Sequence, residues 1–93
     1  MEIEFDSAKR AATLKHRGLD FSDAGAVFDG PTITMADDRA DYGEERLITA
    51  GLLQERMVVV VWSERGGRRR IISMRKANER EQARYGPRLG RSR

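Results

Sequence analysis

The sequence predicts a small α+β domain with one mainly antiparallel sheet and the helices packed mostly on one face of it. Residues 57–76, MVVVVWSERGGRRRIISMRK, contain two apolar runs joined by a Gly-Gly turn. This pattern predicts a β-hairpin, because glycine supplies the positive φ that tight hairpin turns require. Segments with apolar residues at helical spacing lie on both sides of the strand-like segments. The predicted order of elements is β-α-α-β-β-β-α, and 93 residues suit one domain with one modest core.

The chain begins with an alternating segment at residues 2–5, which predicts a short strand. Asp6 stands where a helix N-cap belongs, since its carboxylate accepts from free N–H groups of the first turn. The predicted helix covers residues 7 to about 16 and ends at Gly18. Its packing side consists of small or apolar residues, namely Ala8, Ala11, Ala12 and Leu14.

A second short helix is predicted at about residues 21–28, capped by Asp20 or Ser22. The Asp-Gly-Pro sequence at residues 29–31 ends it, because proline lacks the backbone donor. Its apolar side chains recur at helical spacing and are predicted to be core: Phe21, Ala24, Val27 and Phe28.

Strand patterns follow from residue 32 onward. Residues 32–36 are rich in β-branched side chains, and residues 37–45 are polar and predict a loop. Residues 46–52 alternate, so that Arg46 shares a face with Ile48. Arg46 lies either at the exposed end of that strand or in a polar site beside the core.

The hairpin supplies the two remaining strands. Residues 57–64 are apolar on both faces, which predicts a central strand covered on both sides. In residues 68–75, strict alternation places Arg69 and Arg75 on one face and Arg70 on the other.

The last predicted helix starts at a capping box formed by Asn78 and Glu81 and runs to about Tyr85, before Gly86. We therefore predict one domain at residues 1–86. Residues 87–93 have little to bury and are predicted to be a mobile basic tail.

Composition and charge narrow the function classes. With no cysteine, the chain has no disulfide or thiolate metal site, which is compatible with a reducing cytoplasm. The longest apolar run is too short for a membrane span, and we expect a soluble protein. Residues 1–63 contain 7 Lys/Arg against 12 Asp/Glu, whereas residues 64–93 contain 11 against 3. This asymmetry indicates either a basic face for a polyanion or a solvated basic tail.

The assembled motifs resemble the BrnT family of type II toxins, small ribonucleases of RelE-like fold. The resemblance covers about residues 3–85 and is carried by FDSAKR, RGLDF, DYGEERLITAG and above all RRIISMRKANERE at residues 69–81. Many relatives have a Lys-His pair before the glycine, where this chain has His16-Arg17. The resemblance implies a RelE-like toxin domain and an RNA-cleaving toxin without metal or organic cofactor. It also implies a cognate antitoxin and a complex of the two that represses its own promoter at operator DNA. A partner is expected from charge as well, and we predict a complex with toxin dimers inside a larger assembly.

RNA cleavage by the internal 2′-hydroxyl requires a base, positive charge on the crowded phosphate and an acid. Arginine suits the phosphate, because its planar fork binds two oxygens and stays charged. His16 is the only histidine and the first candidate for proton transfer, although a histidine at a helix end is more often a capping residue. The predicted catalytic residues are His16, Arg46, Arg75, Arg65 and Arg70. The predicted substrate-binding residues are Arg17, Arg68, Arg69 and Lys76.

Several alternatives remain open at the sequence level. Glu64 and Glu45 are other candidates for proton transfer, each next to an arginine, where an ion pair is the simpler interpretation. Tyr42 and Tyr85 either stack on a base or pack. A cluster of acidic residues in the loop at 37–41 is more simply a solvated turn than a metal site. The competing function is a non-catalytic nucleic-acid-binding or corepressor module that acts with a partner protein.

Overall fold

The computed structural model describes residues 1–90, which contain a five-stranded sheet, three α-helices and two 3-10 turns. The strands are β1 (Ile3–Phe5), β2 (Thr32–Ala36), β3 (Leu47–Leu53), β4 (Arg56–Arg65) and β5 (Arg68–Lys76). The helices are α1 (Ser7–Arg17), α2 (Ala24–Asp29) and α3 (Glu79–Tyr85), and the 3-10 turns are Phe21–Asp23 and Pro87–Leu89. The α+β class is confirmed. Each strand predicted from the sequence is present, but the stated element order counts one too few, because four strands rather than three separate α2 from α3.

The predicted caps of α1 and the predicted start of α3 are confirmed, whereas the helix predicted from residue 21 begins as a 3-10 turn at Phe21–Asp23 and becomes α-helical at Ala24. The Asp6 carboxylate accepts from the backbone N–H of Lys9 at 2.9 Å, and Gly18 closes α1 in the left-handed region at φ 70°. At the start of α3, the Asn78 side chain accepts from the N–H of Glu81, whose carboxylate accepts from the N–H of Asn78. These residues therefore form the predicted capping box.

The sheet has the strand order β1-β5-β4-β3-β2. All pairs are antiparallel except β1 with β5, which is parallel. The hairpin turns at Gly66 and Gly67, with φ values of 58° and 78° that explain the requirement for two glycines. Strand β4 is the middle strand of the five, and its residues 57–63 are buried, as their two-sided apolar pattern predicts.

A bulge in β5 decides which way its arginines point. Val61 pairs with Ser73 and Trp62 with Ile71, so Ile72 has no partner residue on β4. An extra residue in one strand reverses the alternation beyond it. The prediction from strict alternation is therefore wrong: Arg70 and Arg75 lie on the same face of the sheet.

Two hydrophobic clusters cover the two faces. On one face, which we call the α2 face, Val58, Val60 and Trp62 pack against the 3-10 turn and α2. On the other, the α3 face, Met57 and Val59 pack with Tyr85 and with the segment that follows α3. Helices therefore lie on both faces: α2 covers one, and the apolar side chains around α3 bury against the other.

The predicted packing side of α1 is also wrong. All four of its residues are exposed, and Leu14 is 45% exposed. Polar contacts join α1 to the domain instead: Arg10 donates to both carboxylate oxygens of Asp20 at 2.7 and 2.9 Å, and Arg17 donates to the Met74 carbonyl at 3.0 Å. Arg10 holds the pKa of Asp20 well below its usual range.

The segment after α3 contributes to the core. Leu89, in the second 3-10 turn, is 2% exposed and packs in the cluster on the α3 face. The expectation that residues 87–93 bury little is therefore wrong for Leu89. The mobility of the tail stays a prediction. Residues 91–93 lie outside the described residues. Within residues 1–90, no helix has the length and apolar character needed to cross a membrane.

Candidate nucleic-acid interface

Arginines of the hairpin lie together on the α3 face at the end of the sheet next to the turn. Arg65 pairs with Arg68 across β4 and β5, and Arg70 pairs with Ser63. We call Arg65, Arg68 and Arg70 the hairpin-end arginines. The side chains of Arg68 and Arg70 are 55% and 32% exposed, and Arg65 is exposed. Three guanidinium groups on the end of a two-stranded support are accessible to a polyanion.

Glu4 lies among these arginines. In the parallel pairing of β1 with β5, Glu4 is the partner of Arg70. Its Oε2 accepts from Nη1 of Arg70 at 3.1 Å, while its Oε1 lies 4.0 Å from Nη1 of Arg68. The Glu4 side chain is 29% exposed. Sequence analysis missed this carboxylate, because only the pairing of β1 with β5 brings it to the hairpin.

Across the sheet from Arg70, on the same face, lie Ser63 and then Arg46. Ser63, on β4 opposite Arg70, is buried, and its hydroxyl has no hydrogen-bond partner in the described part of the chain. Arg46 directly precedes the pair of Leu47 with Trp62 and stacks on the ring of Tyr42 at 3.9 Å. A guanidinium group stacked on an aromatic ring offers a flat surface on which a nucleobase can stack.

Arg75 lies on the same face but is held by α3. Its Nη1 and Nη2 donate to Oε1 and Oε2 of Glu81, at 2.8 Å each. Arg75 lowers the pKa of the Glu81 carboxyl, because the bidentate contact favours the ionised form. Arg75 pairs with Val59, four residues along β4 from Ser63, which corresponds to about 13 Å. The structure therefore separates Arg75 from the hairpin-end arginines.

The predicted histidine lies elsewhere. His16 and Arg17 line a groove of about 300 Å³ between α1 and β5, together with Ile72 and Ser73. None of the four predicted catalytic arginines is among the residues that line this groove. The groove thus groups His16 with Arg17 rather than with those arginines.

Two predicted substrate-binding residues point to the α2 face. Arg69 stacks over the rings of Phe28 and Trp62, at 4.0 and 5.1 Å, and its Nε is buried. Lys76 pairs with Val58, whose side chain belongs to the α2 face. Both cations are separated from the hairpin-end arginines by the sheet.

The acidic loop forms an internal ion pair. Asp37 is buried, and its two carboxylate oxygens accept from Nε and Nη2 of Arg39 at 2.7 Å each. Arg39 lowers the pKa of Asp37. In residues 1–90, no three His, Cys, Asp or Glu side chains are grouped so that they could hold a metal ion.

Comparison with known proteins adds one match. A family model described as the ribonuclease toxin BrnT of type II toxin-antitoxin systems matches residues 5–81. The matched segment includes the hairpin, its arginines and the start of α3. No curated protein matches the chain.

Proposed function

The chain belongs to the BrnT family of type II toxin-antitoxin ribonuclease toxins, and from this membership we propose that it is an endoribonuclease that needs no metal. In this proposal it cleaves RNA in the cytoplasm and so inhibits translation. A cognate antitoxin neutralises it, and the two proteins together bind operator DNA, with toxin dimers inside the complex.

The observation that carries the proposal is the position of the hairpin-end arginines. Attack of a 2′-hydroxyl on the adjacent phosphate gathers negative charge on the two non-bridging oxygens in the transition state. Arginine donors held on β-strands are in place before the reaction, so little reorganisation is needed. Arg65, Arg68 and Arg70 combine exposure with such a support.

Arg46 has a second role in this proposal. It lies on the same side of the sheet and stacks on Tyr42. We expect this pair to hold a base or a phosphate next to the cleaved bond. Arg75 has a different role, because Glu81 occupies both of its terminal nitrogens. It orders the start of α3 rather than binding the substrate directly.

Antitoxin binding follows from the same charges. A basic surface that cleaves RNA is blocked most simply by an acidic or apolar segment laid over it. We therefore expect the antitoxin to compete with RNA for the hairpin-end arginines.

The test is a cleavage assay with purified protein freed of antitoxin, in EDTA, on a labelled RNA. Wild type should cleave, Arg46→Ala should be impaired, and His16→Ala and Arg75→Ala should retain most activity if their fold is intact. Addition of the antitoxin should stop cleavage. If wild type leaves RNA intact and its expression does not slow growth, the enzyme proposal is wrong. RNA or DNA binding without cleavage would then favour a corepressor module, whose candidate residues are the same arginines.

A further inference from the structure

We propose that Glu4 is the general base that removes the proton from the attacking 2′-hydroxyl. This inference rests on the proposed ribonuclease function and names a residue for its proton transfer. Glu4 lies one residue before the segment that matches the family. Its assignment therefore depends on its position beside the arginines.

The carboxylate of Glu4 has the geometry that a base at this site needs. Its Oε2 is fixed by the hydrogen bond from Arg70, which orients the group. Its Oε1 lies 4.0 Å from Arg68, beyond hydrogen-bond distance, and is available to accept a proton. The side chain is also partly exposed, so a ribose can approach it.

The position relative to the arginines matters as much as the accessibility. A phosphate bound between Arg68 and Arg70 lies next to Glu4, because Arg70 donates to its carboxylate and Arg68 lies 4.0 Å from it. The 2′-hydroxyl belongs to the same nucleotide as that phosphate. A general base must lie within hydrogen-bond reach of the proton it removes, and Glu4 meets this requirement for a ribose at this place.

Other carboxylates fit less well. Both oxygens of Glu81 are held by Arg75, and both oxygens of Asp37 are held by Arg39. Glu64 pairs with Arg69, whose side chain points to the α2 face, away from the hairpin-end arginines.

The glutamates next to Arg46 are also weaker candidates. Glu44 lies 3.4 Å from Arg46 on an exposed loop, and Glu45 is exposed on the same loop. Neither is fixed on a strand, so neither is held in place as firmly as Glu4.

The reaction balances with Glu4 and water alone. The 2′-hydroxyl proton moves to Oε1 of Glu4, the 2′-oxygen bonds to phosphorus, and the bond from phosphorus to the 5′-oxygen breaks. The leaving 5′-oxygen takes a proton from water, and the resulting hydroxide accepts the proton from the Glu4 carboxyl. The products carry a 2′,3′-cyclic phosphate and a 5′-hydroxyl.

The test measures single-turnover cleavage of a labelled RNA with protein in excess, and separately the binding of the same RNA with 2′-deoxy sugars. Glu4→Gln keeps the size of the side chain and the acceptor for Arg70 but removes the base. We expect cleavage to fall by about 10²–10⁴-fold, the usual contribution of a general base. Binding should stay unchanged or become tighter, because one negative charge is removed beside the phosphate site.

Glu64→Gln is the matched control, since Glu64 pairs with Arg69, whose side chain lies on the α2 face, and this variant should cleave as wild type does. Glu4→Asp keeps a carboxylate and should cleave faster than Glu4→Gln, even if both variants lose the same stability. Wild-type cleavage by Glu4→Gln overturns the assignment. Equal cleavage rates for Glu4→Asp and Glu4→Gln would also overturn it. The same holds if Glu4→Gln loses cleavage, RNA binding and Tm together. An inactive wild type instead contradicts the ribonuclease function itself.

Discussion

The hairpin-end arginines should determine how RNA binding depends on salt. We consider the single substitutions Arg65→Gln, Arg68→Gln and Arg70→Gln, each of which removes one charge and keeps a polar side chain. If each arginine neutralises one phosphate of single-stranded RNA, each contributes about 0.7 to the slope of log affinity against log salt concentration. The three together then contribute about 2.

This slope gives a measurable change in affinity. Between 50 and 200 mM salt, a slope of about 2 weakens binding by roughly 20-fold. Each substitution should lower the magnitude of the slope by about 0.7 and weaken binding to all RNA sequences by a similar factor. The effect is uniform because phosphate contacts carry no sequence information.

Fluorescence anisotropy with a 2′-deoxy-substituted, uncleavable oligonucleotide measures this slope without interference from cleavage. The matched control is Arg56→Gln, an exposed arginine at the opposite end of β4, nine residues and roughly 30 Å from Arg65. It should leave the slope unchanged. Equal changes for Arg56→Gln and the hairpin-end variants would show that overall charge, rather than this surface, binds RNA.

The remaining predictions concern stability. A Cβ at Gly51 would lie 2.5 Å from Cγ1 of the fully buried Val27. Gly51→Ala should therefore lower the free energy of unfolding, measured by urea denaturation, by about 1–3 kcal/mol. An unchanged free energy of unfolding would contradict the described packing. Thr49→Val removes the buried acceptor of Trp62 Nε1, at 2.8 Å, and should cost about 1–3 kcal/mol; an unchanged Tm would contradict this. Glu81→Gln should cost about 1 kcal/mol at pH 7. Since the folded-state pKa of Glu81 is lowered from 4.5, its stabilisation is complete above that value and is lost as the pH falls through the folded pKa. The difference from wild type should therefore shrink in acid, and a difference that is constant with pH would be inconsistent with the ion pair.

Local features of the fold were predictable from the sequence because short-range chemistry determines them. The caps at Asp6 and Asn78 depend on side chains within three residues of the N–H groups they serve. The turn at Gly66 and Gly67 requires positive φ at both positions, which few other residues supply. The buried middle strand followed from apolar residues on both of its faces.

The arrangement of the candidate site was not predictable, because it depends on pairing between distant segments. A bulge at Ile72 leaves no mark on the alternation of a strand that carries arginine and aliphatic residues on both faces. It nevertheless decides that Arg70 and Arg75 share a face. The parallel pairing of the three-residue β1 with β5 likewise has no local signal, although it places Glu4 beside the hairpin arginines.

Two errors about burial have the same origin. Apolar spacing in α1 predicted a packing side, but Arg10 and Arg17 hold the helix through polar contacts that leave Leu14 exposed. The single apolar residue of a basic C-terminal segment gave no reason to expect burial, yet Leu89 fills a place beside Met57. Tertiary packing decided both cases.

The most direct test of a ribonuclease surface at the hairpin end is single-turnover RNA cleavage in EDTA by wild type, Arg70→Gln and Arg56→Gln. We predict cleavage by wild type and by Arg56→Gln at the same rate. Arg70→Gln should be slower by at least about 10²-fold, the usual effect of removing one donor to the transition-state charge. Cleavage by Arg70→Gln at the wild-type rate, with Arg56→Gln equally active, would contradict the central claim.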